Sequence, residues 1–250
     1  MSVRSPGDRA MPGLFVTGTD TGVGKTTIAI ALLAAARRRG LRPVPFKPVE
    51  TGCDPDPADA RALLTASASE LPLSIVCPYA LRLPAAPSAA AAAEGLRLAV
   101  DRLAELGRSA SRGGDFLLVE GAGGLLVPYA GAATAADLAS RLGLPVLLVA
   151  RTALGTVNHT ALTLREAARA GLEIAGVVFN RATPEIGPHE PGNVDLVEAL
   201  TGVRALGLMP FLDNDSRADP ERAADALIGS LGPGAIDHLL GLGRAVRPRA

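Results

Sequence analysis

The sequence predicts an α/β fold: a single domain on a mostly parallel sheet, with helices on both faces. Three observations predict it. Short apolar runs alternate along the chain with longer segments of helical period, the order produced by parallel strands joined through helical crossovers. Most of those runs are continuously apolar, so both faces of each strand are expected to be covered. The composition agrees, with 48% hydrophobic and 3% aromatic residues and no tryptophan, which suggests a core of Ala, Leu and Val. At 250 residues the chain is long enough to bury such a core, and it shows no repeat and no dividing linker.

The elements follow in order. Residues 1–12 lack an apolar stretch and are expected to form a flexible tail, with Met11 an alternative start. The domain is read over residues 13–240, and residues 241–250 as a C-terminal tail. Strands are expected at Leu14–Thr17, Val44–Phe46, Phe116–Val119, Val146–Ala150, Ile174–Phe179 and Ala205–Met209, each a short apolar run. Between them the spacing predicts helices at Lys25–Arg39, Asp59–Thr65, Ala89–Arg108, Thr134–Leu142, Val157–Ala170, Val194–Leu200 and Pro220–Leu231. The third of these is led by an Ala-rich stretch, Pro84–Ala93, read as the start of a helix rather than a spacer.

Charge excludes one class of partner. The 25 basic and 25 acidic residues cancel, so the chain lacks the basic field that nucleic-acid binding needs, and any anion is held locally. The longest apolar runs are too short to span a bilayer, so no membrane partner is expected. Cys53 and Cys77 are neither metal-spaced nor numerous enough to staple a domain, which fits a reducing compartment and makes the cytoplasm the expected location.

Only two basic residues are lysines, Lys25 and Lys47. A chain that otherwise uses arginine retains lysine where a compact ammonium on a flexible stem does what a planar guanidinium cannot. Lys25 lies in Gly18-Thr19-Asp20-Thr21-Gly22-Val23-Gly24-Lys25-Thr26, between a strand and a helix, the setting of a P-loop. In such a loop the glycines let backbone N–H groups curl round phosphate oxygens, Lys25 would reach the outer phosphates, and Thr26 would offer its hydroxyl to Mg²⁺. The loop is a variant, because the usual first glycine position holds Thr19 and the glycine stands one residue earlier. Lys47, in Phe46-Lys47-Pro48-Val49-Glu50-Thr51-Gly52, ends the second strand run and is expected at the same sheet edge, where two ammoniums would clamp a γ-phosphate. Pro48 and Gly52 also suit a plain turn.

A third motif, Val119-Glu120-Gly121-Ala122-Gly123-Gly124-Leu125, again closes a strand. An acid there is where P-loop proteins hold magnesium, and the glycines allow a ligand close approach, so Glu120 is read as a metal carboxylate. Asp59 is read two ways, as a further metal carboxylate or as the N-cap of its helix.

Together with Gly155-Thr156-Val157-Asn158-His159 and Val178-Phe179-Asn180, these segments resemble the dethiobiotin synthetase family of biotin biosynthesis, over a span from Phe15 to Leu212. The resemblance implies a P-loop NTPase-like domain that forms a homodimer. It implies a ligase that uses ATP and Mg²⁺ to join CO₂ to 7,8-diaminononanoate and close the ring of dethiobiotin, releasing ADP and phosphate. Lys47, Lys25 and Thr21 are then the catalytic residues. Gly22, Val23, Gly24, Lys25, Thr26 and Thr27 hold the phosphates, with Glu120, Gly121, Ala122 and Gly123 facing them; Thr26, Asp59 and Glu120 hold the metal. Thr51 and Thr21 lie near the diamine and carbamate, and Gly155 and Asn158 belong to a turn whose N–H groups receive the substrate carboxylate from the partner subunit. Asn180, Pro210, Phe211 and Leu212 flank adenine. By residue type alone, Asn158 also suits a helix N-cap and Asn180 a strand-end turn. No protein nucleophile is required, and His159, His189 and His238 form no obvious triad. One departure is Pro87-Ser88, where the family commonly has Pro-His.

Two rival readings stand beside this one. A partition-type ATPase switch would carry a second lysine early in its P-loop, where this chain has Asp20; a corrinoid-type amidase would need a fused glutaminase domain, for which 250 residues leave no room.

Overall fold

The computed structural model describes residues 12–188 and 190–242. The residues expected as tails therefore fall largely outside it, as does His189. Six parallel strands form the central sheet: β1 (Gly13–Gly18), β2 (Pro43–Phe46), β5 (Phe116–Gly124), β8 (Val146–Arg151), β9 (Ile174–Asn180) and β10 (Ala205–Met209), in the order β10-β9-β8-β1-β5-β2. All six expected strands are present. Two small pairs accompany them, β3 (Val49–Thr51) with β4 (Tyr79–Leu81) in parallel, and β6 (Pro128–Ala130) with β7 (Ala133–Thr134) antiparallel.

Alternation of side chains along the strands divides the core between the two faces. Leu14 and Val16 join Leu118, Leu147 and Val149 beneath α1 (Lys25–Arg38), α10 (Pro220–Leu231) and α11 (Pro233–Leu239), with Leu63 of α2 (Ala58–Ser67) in the same cluster. Phe15, Leu117 and Val119 face α5 (Val100–Ser111) and α6 (Ala135–Leu142). Leu148, Ala150, Val177 and Phe179 pack under α7 (Thr156–Arg169) and α8 (Glu190–Thr201). α1 is buried from Ile28 to Ala36, which its run of small and aliphatic residues permits. Completely burying one such aliphatic side chain contributes about 1.5–3 kcal/mol, so this central helix anchors the loop that precedes it.

The structure corrects one helix. The segment Ala89–Arg108 is two helices, α4 (Pro87–Ala93) and α5, separated by extended chain. Gly95 takes φ +71° and closes α4 with bonds from its own N–H to Ala92 and from Leu96 N–H to Ala91, a glycine stop that alanine's helix preference obscures in the sequence. α8 begins at Glu190 rather than Val194, and short helices α3 (Leu73–Val76) and α9 (Asn214–Ala218) fill stretches with no expected element. No described helix is long and apolar enough to cross a membrane.

Candidate active site

The carboxyl ends of β1, β2 and β5 converge, and the loops leaving them carry the motif residues. Gly24 sits at the N-cap of α1 with φ +98°, and a Cβ there would lie 2.1 Å from Nδ2 of Asn180, so the position requires glycine for both backbone angle and space. Asn180, the last residue of β9, is buried and donates from Nδ2 to the Val23 carbonyl at 3.0 Å. It therefore braces the P-loop from the far side rather than making a turn. Lys25 is buried, and its Nζ donates only to the backbone oxygen of Asp20, at 3.0 Å. Burial lowers its pKa from the ordinary lysine value, partly offset by Glu120.

Lys47 has a different setting. Its Nζ lies 2.5 Å from Glu120 Oε1 and 2.9 Å from Asp59 Oδ2. Burial works against its charge, but the two carboxylates outweigh that and hold its pKa above the ordinary lysine value. Glu120 Oε1 also accepts from Thr26 Oγ1 at 2.9 Å, while Oε2, fully buried, has no hydrogen-bond partner. Such an atom is costly unless a cation or donor completes it. Among the described residues no group of three or more His, Cys, Asp or Glu forms a metal cage. The donors present are one hydroxyl and two carboxylates, Thr26, Glu120 and Asp59, a set that fits magnesium, which usually keeps several waters and takes phosphate oxygens as well.

Asp59 is the second residue of α2 and not its cap; the N-cap position is Pro57, which makes no side-chain cap bond. The cap comes from Glu50 on β3, whose Oε1 and Oε2 accept from Asp59 N and Ala60 N, each at 2.9 Å. Burial raises the Glu50 pKa against the pull of those two amides. The end of β5 beyond Glu120 is braced by Tyr129, whose buried hydroxyl accepts from Ala122 N at 2.7 Å and whose pKa burial pushes up to about 12. Sequence reasoning assigned neither residue a role. For Glu50 a signal existed, namely a helix starting at Pro57-Ala58 without a local cap.

A cavity of about 890 Å³ joins these groups. Thr21, Gly22, Gly24, Lys25, Thr26, Thr27, Lys47, Thr51, Asp59, Glu120, Ala122 and Gly123 line it, with Glu50, Pro87 and, from α9, Asn214 and Arg217. Val23 and Gly121 are buried behind the lining. Ser88 follows Pro87 in the first turn of α4. Pro210, Phe211 and Leu212 run beside the α9 wall, where Arg217 donates to the Leu212 carbonyl at 2.9 Å and lies 5.9 Å over the Phe211 ring. Gly155 and Asn158 stand apart from the cavity. Gly155 is the left-handed N-cap of α7 and Asn158 an exposed residue of its first turn, so Asn158 is not the cap. Asn193 of α8 anchors that turn by donating to the Thr152 carbonyl at 2.8 Å.

Among the described residues, no cysteine or histidine lines the cavity. Both cysteines are buried, and burial pushes the Cys77 thiol up to about 12. His159 and His238 lie on α7 and α11 and line no part of the cavity. The chemistry on offer is that of two cations and a cation-binding carboxylate pair around an anion, which suits phosphoryl transfer.

Residues 12–218 match the AAA_26 family, described as an AAA domain. Among curated proteins, the chain is similar to the ATP-dependent dethiobiotin synthetase BioD of Anaeromyxobacter dehalogenans (strain 2CP-C), 51% identical over 80% of this chain and 91% of that protein. The BioD of Anaeromyxobacter sp. (strain K) is 47% identical over 88% and 98%, and that of Bacillus cereus (strain G9842) 36% over 82% and 86%. Among solved structures, the MinC:MinD complex of Aquifex aeolicus aligns at a TM-score of 0.58 with 14% identity, covering 96% of this chain and 100% of the other. A ParA family ATPase from Chlorobium tepidum TLS aligns at 0.52 with 13% identity, covering 93% and 98%. At such identity these two structures speak for the fold alone.

Proposed function

The chain belongs to the ATP-dependent dethiobiotin synthetase family, ligases of biotin biosynthesis, and from that premise we propose its reaction and the part each residue takes in it. The substrate is 7,8-diaminononanoate. One amine adds to CO₂ and loses a proton, giving a carbamate. A carbamate oxygen attacks the γ-phosphorus of ATP, the bond to the β-phosphate oxygen breaks, and ADP leaves behind a carbamic-phosphoric anhydride. The second amine attacks the carbamate carbon and loses a proton, phosphate leaves, and the cyclic urea closes.

Chief support for this reading is the convergence of Lys25, Thr26, Lys47, Asp59 and Glu120 on one cavity. Lys25 and the N–H groups of the P-loop hold the phosphates, and Lys47 neutralises charge that develops on the γ-phosphoryl group. Magnesium, when bound by Thr26, Asp59 and Glu120, supplies further positive charge to the phosphate oxygens. Thr21 and Thr51 orient the carbamate and the diamine through their hydroxyls. Asn180 uses Nδ2 on Val23, which leaves Oδ1 for the adenine amino group, with Pro210, Phe211 and Leu212 beside the ring.

The active unit is a homodimer in which Gly155 and Asn158 of one subunit hold the substrate carboxylate in the other. In support, that turn stands outside the cavity of its own chain, and Leu154 beside it is 78% exposed. The compartment is cytoplasmic, in keeping with two free thiols. The partition-ATPase reading has the fold in its favour but meets Asp20 at its signature position. The test is to incubate the protein with ATP, Mg²⁺, bicarbonate and the diamine. Release of ADP that depends on the diamine is expected; ADP no higher than without diamine would sink the synthetase reading.

A further inference from the structure

We propose that Glu50 is a positioning residue that sets where Asp59 stands, and through Asp59 the metal-side geometry of the site; this rests on the reading of Asp59 as a metal carboxylate. Glu50 is 7% exposed, lines the cavity and makes no ion pair among the described residues. Both its oxygens are taken by backbone amides, from Asp59 and Ala60 at 2.9 Å each. One short segment therefore grips Asp59 twice. Lys47 holds its carboxylate at 2.9 Å, and Glu50, three residues on, holds its amide.

A cap confined to the helix itself would not do this. Pro57 offers no side-chain acceptor, so α2 is tied through its first turn to β3 rather than to its own chain start. The tie fixes the distance between the Lys47 strand end and the Asp59 carboxylate. Charge-assisted bonds to a buried carboxylate hold geometry firmly, and partners at one remove from a metal typically alter affinity about 10–100-fold when lost.

The proposal separates from a plain stabilising role by experiment. Mn²⁺ binding to the ADP-loaded protein is measured by electron paramagnetic resonance, alongside the melting temperature, for Glu50→Gln, Glu50→Ala, Glu50→Ala/Pro57→Ser and Asp59→Asn. Glu50→Ala is expected to weaken Mn²⁺ binding about tenfold and lower the melting temperature. Glu50→Gln keeps the size and one acceptor but sets a donor against the other amide, so it too is expected to weaken Mn²⁺ binding, and it serves should the alanine variant not fold. Adding Pro57→Ser restores a local cap and is expected to recover melting temperature without recovering Mn²⁺ affinity. Recovery of both, or unchanged Mn²⁺ binding in Glu50→Gln and Glu50→Ala while Asp59→Asn weakens it, overturns the positioning role alone. Unchanged binding in Asp59→Asn overturns the metal reading, and the positioning role with it.

Discussion

The P-loop and the segment from Lys47 to Asp59 each bring one lysine to the same cavity and hold it in opposite ways. Lys25 meets a single backbone carbonyl, and burial depresses its pKa. Lys47 lies between two carboxylates that hold it charged. Lys25 thus has no carboxylate bonded to its ammonium, and on the proposed reading that is the place a phosphate takes, whereas Lys47 is already paired with two carboxylates. On the proposed reading, for Lys47 to serve a phosphate Glu120 and Asp59 must turn to another cation, and the unpartnered Oε2 of Glu120 leaves one acceptor for it. On this account nucleotide and metal enter together, because the metal takes the carboxylates as the phosphate takes the lysine.

The comparison breaks most sharply at Lys47. Lys47→Arg is expected to lower kcat by about 10²–10³-fold while leaving the fold intact, since the wider, planar guanidinium cannot occupy the same point at the γ-phosphate. Near-normal turnover would refute the clamp. Next, Glu120→Gln removes the charge that both Thr26 and Lys47 address, and a magnesium titration should show half-saturation raised by about tenfold or more; an unchanged titration would remove Glu120 from the metal site. On the P-loop side, Asn180→Ala removes both the brace on the Val23 carbonyl and the proposed adenine contact, and loss of about 1 kcal/mol for each predicts a KM for ATP raised by about fivefold or more with kcat little altered. The smallest effect on turnover is expected from Tyr129→Phe, which removes the hydroxyl partner of the half-buried Ala122 amide and costs about 1 kcal/mol in denaturant unfolding. Its pH dependence has a definite sign. The folded pKa of about 12 exceeds the unfolded value of about 10, so Tyr129 adds stability that is complete below pH 10 and fades as pH rises to 12. The phenylalanine variant should lack that part of the alkaline loss.

What was legible in the sequence was whatever a local pattern encodes. Six parallel strands, all but the half-buried edge strand β10 largely buried, announce themselves as continuous apolar runs, and a glycine loop between strand and helix carries its own chemistry in its spacing. Sheet order is not local, because β1 pairs with β5 and β8, far along the chain. The supporting contacts were hidden for the same reason. Asn180 reaches Val23 across 157 positions, and Glu50 meets Asp59 only because β3 turns back against the start of α2. Strands β3 and β4 span three residues each, too few to show a period. In the Ala-rich stretch the stop at Gly95 was present but outweighed by the helix preference around it.

The exchange at Lys47 is tested most directly by a crystal structure with Mg²⁺, a non-hydrolysable ATP analogue and the diamine. The account predicts Lys47 Nζ within hydrogen-bonding distance of a γ-phosphate oxygen, with the metal on Thr26 and the carboxylates of Glu120 and Asp59. Lys47 still bridging Glu120 and Asp59, with the γ-phosphate elsewhere, would contradict it.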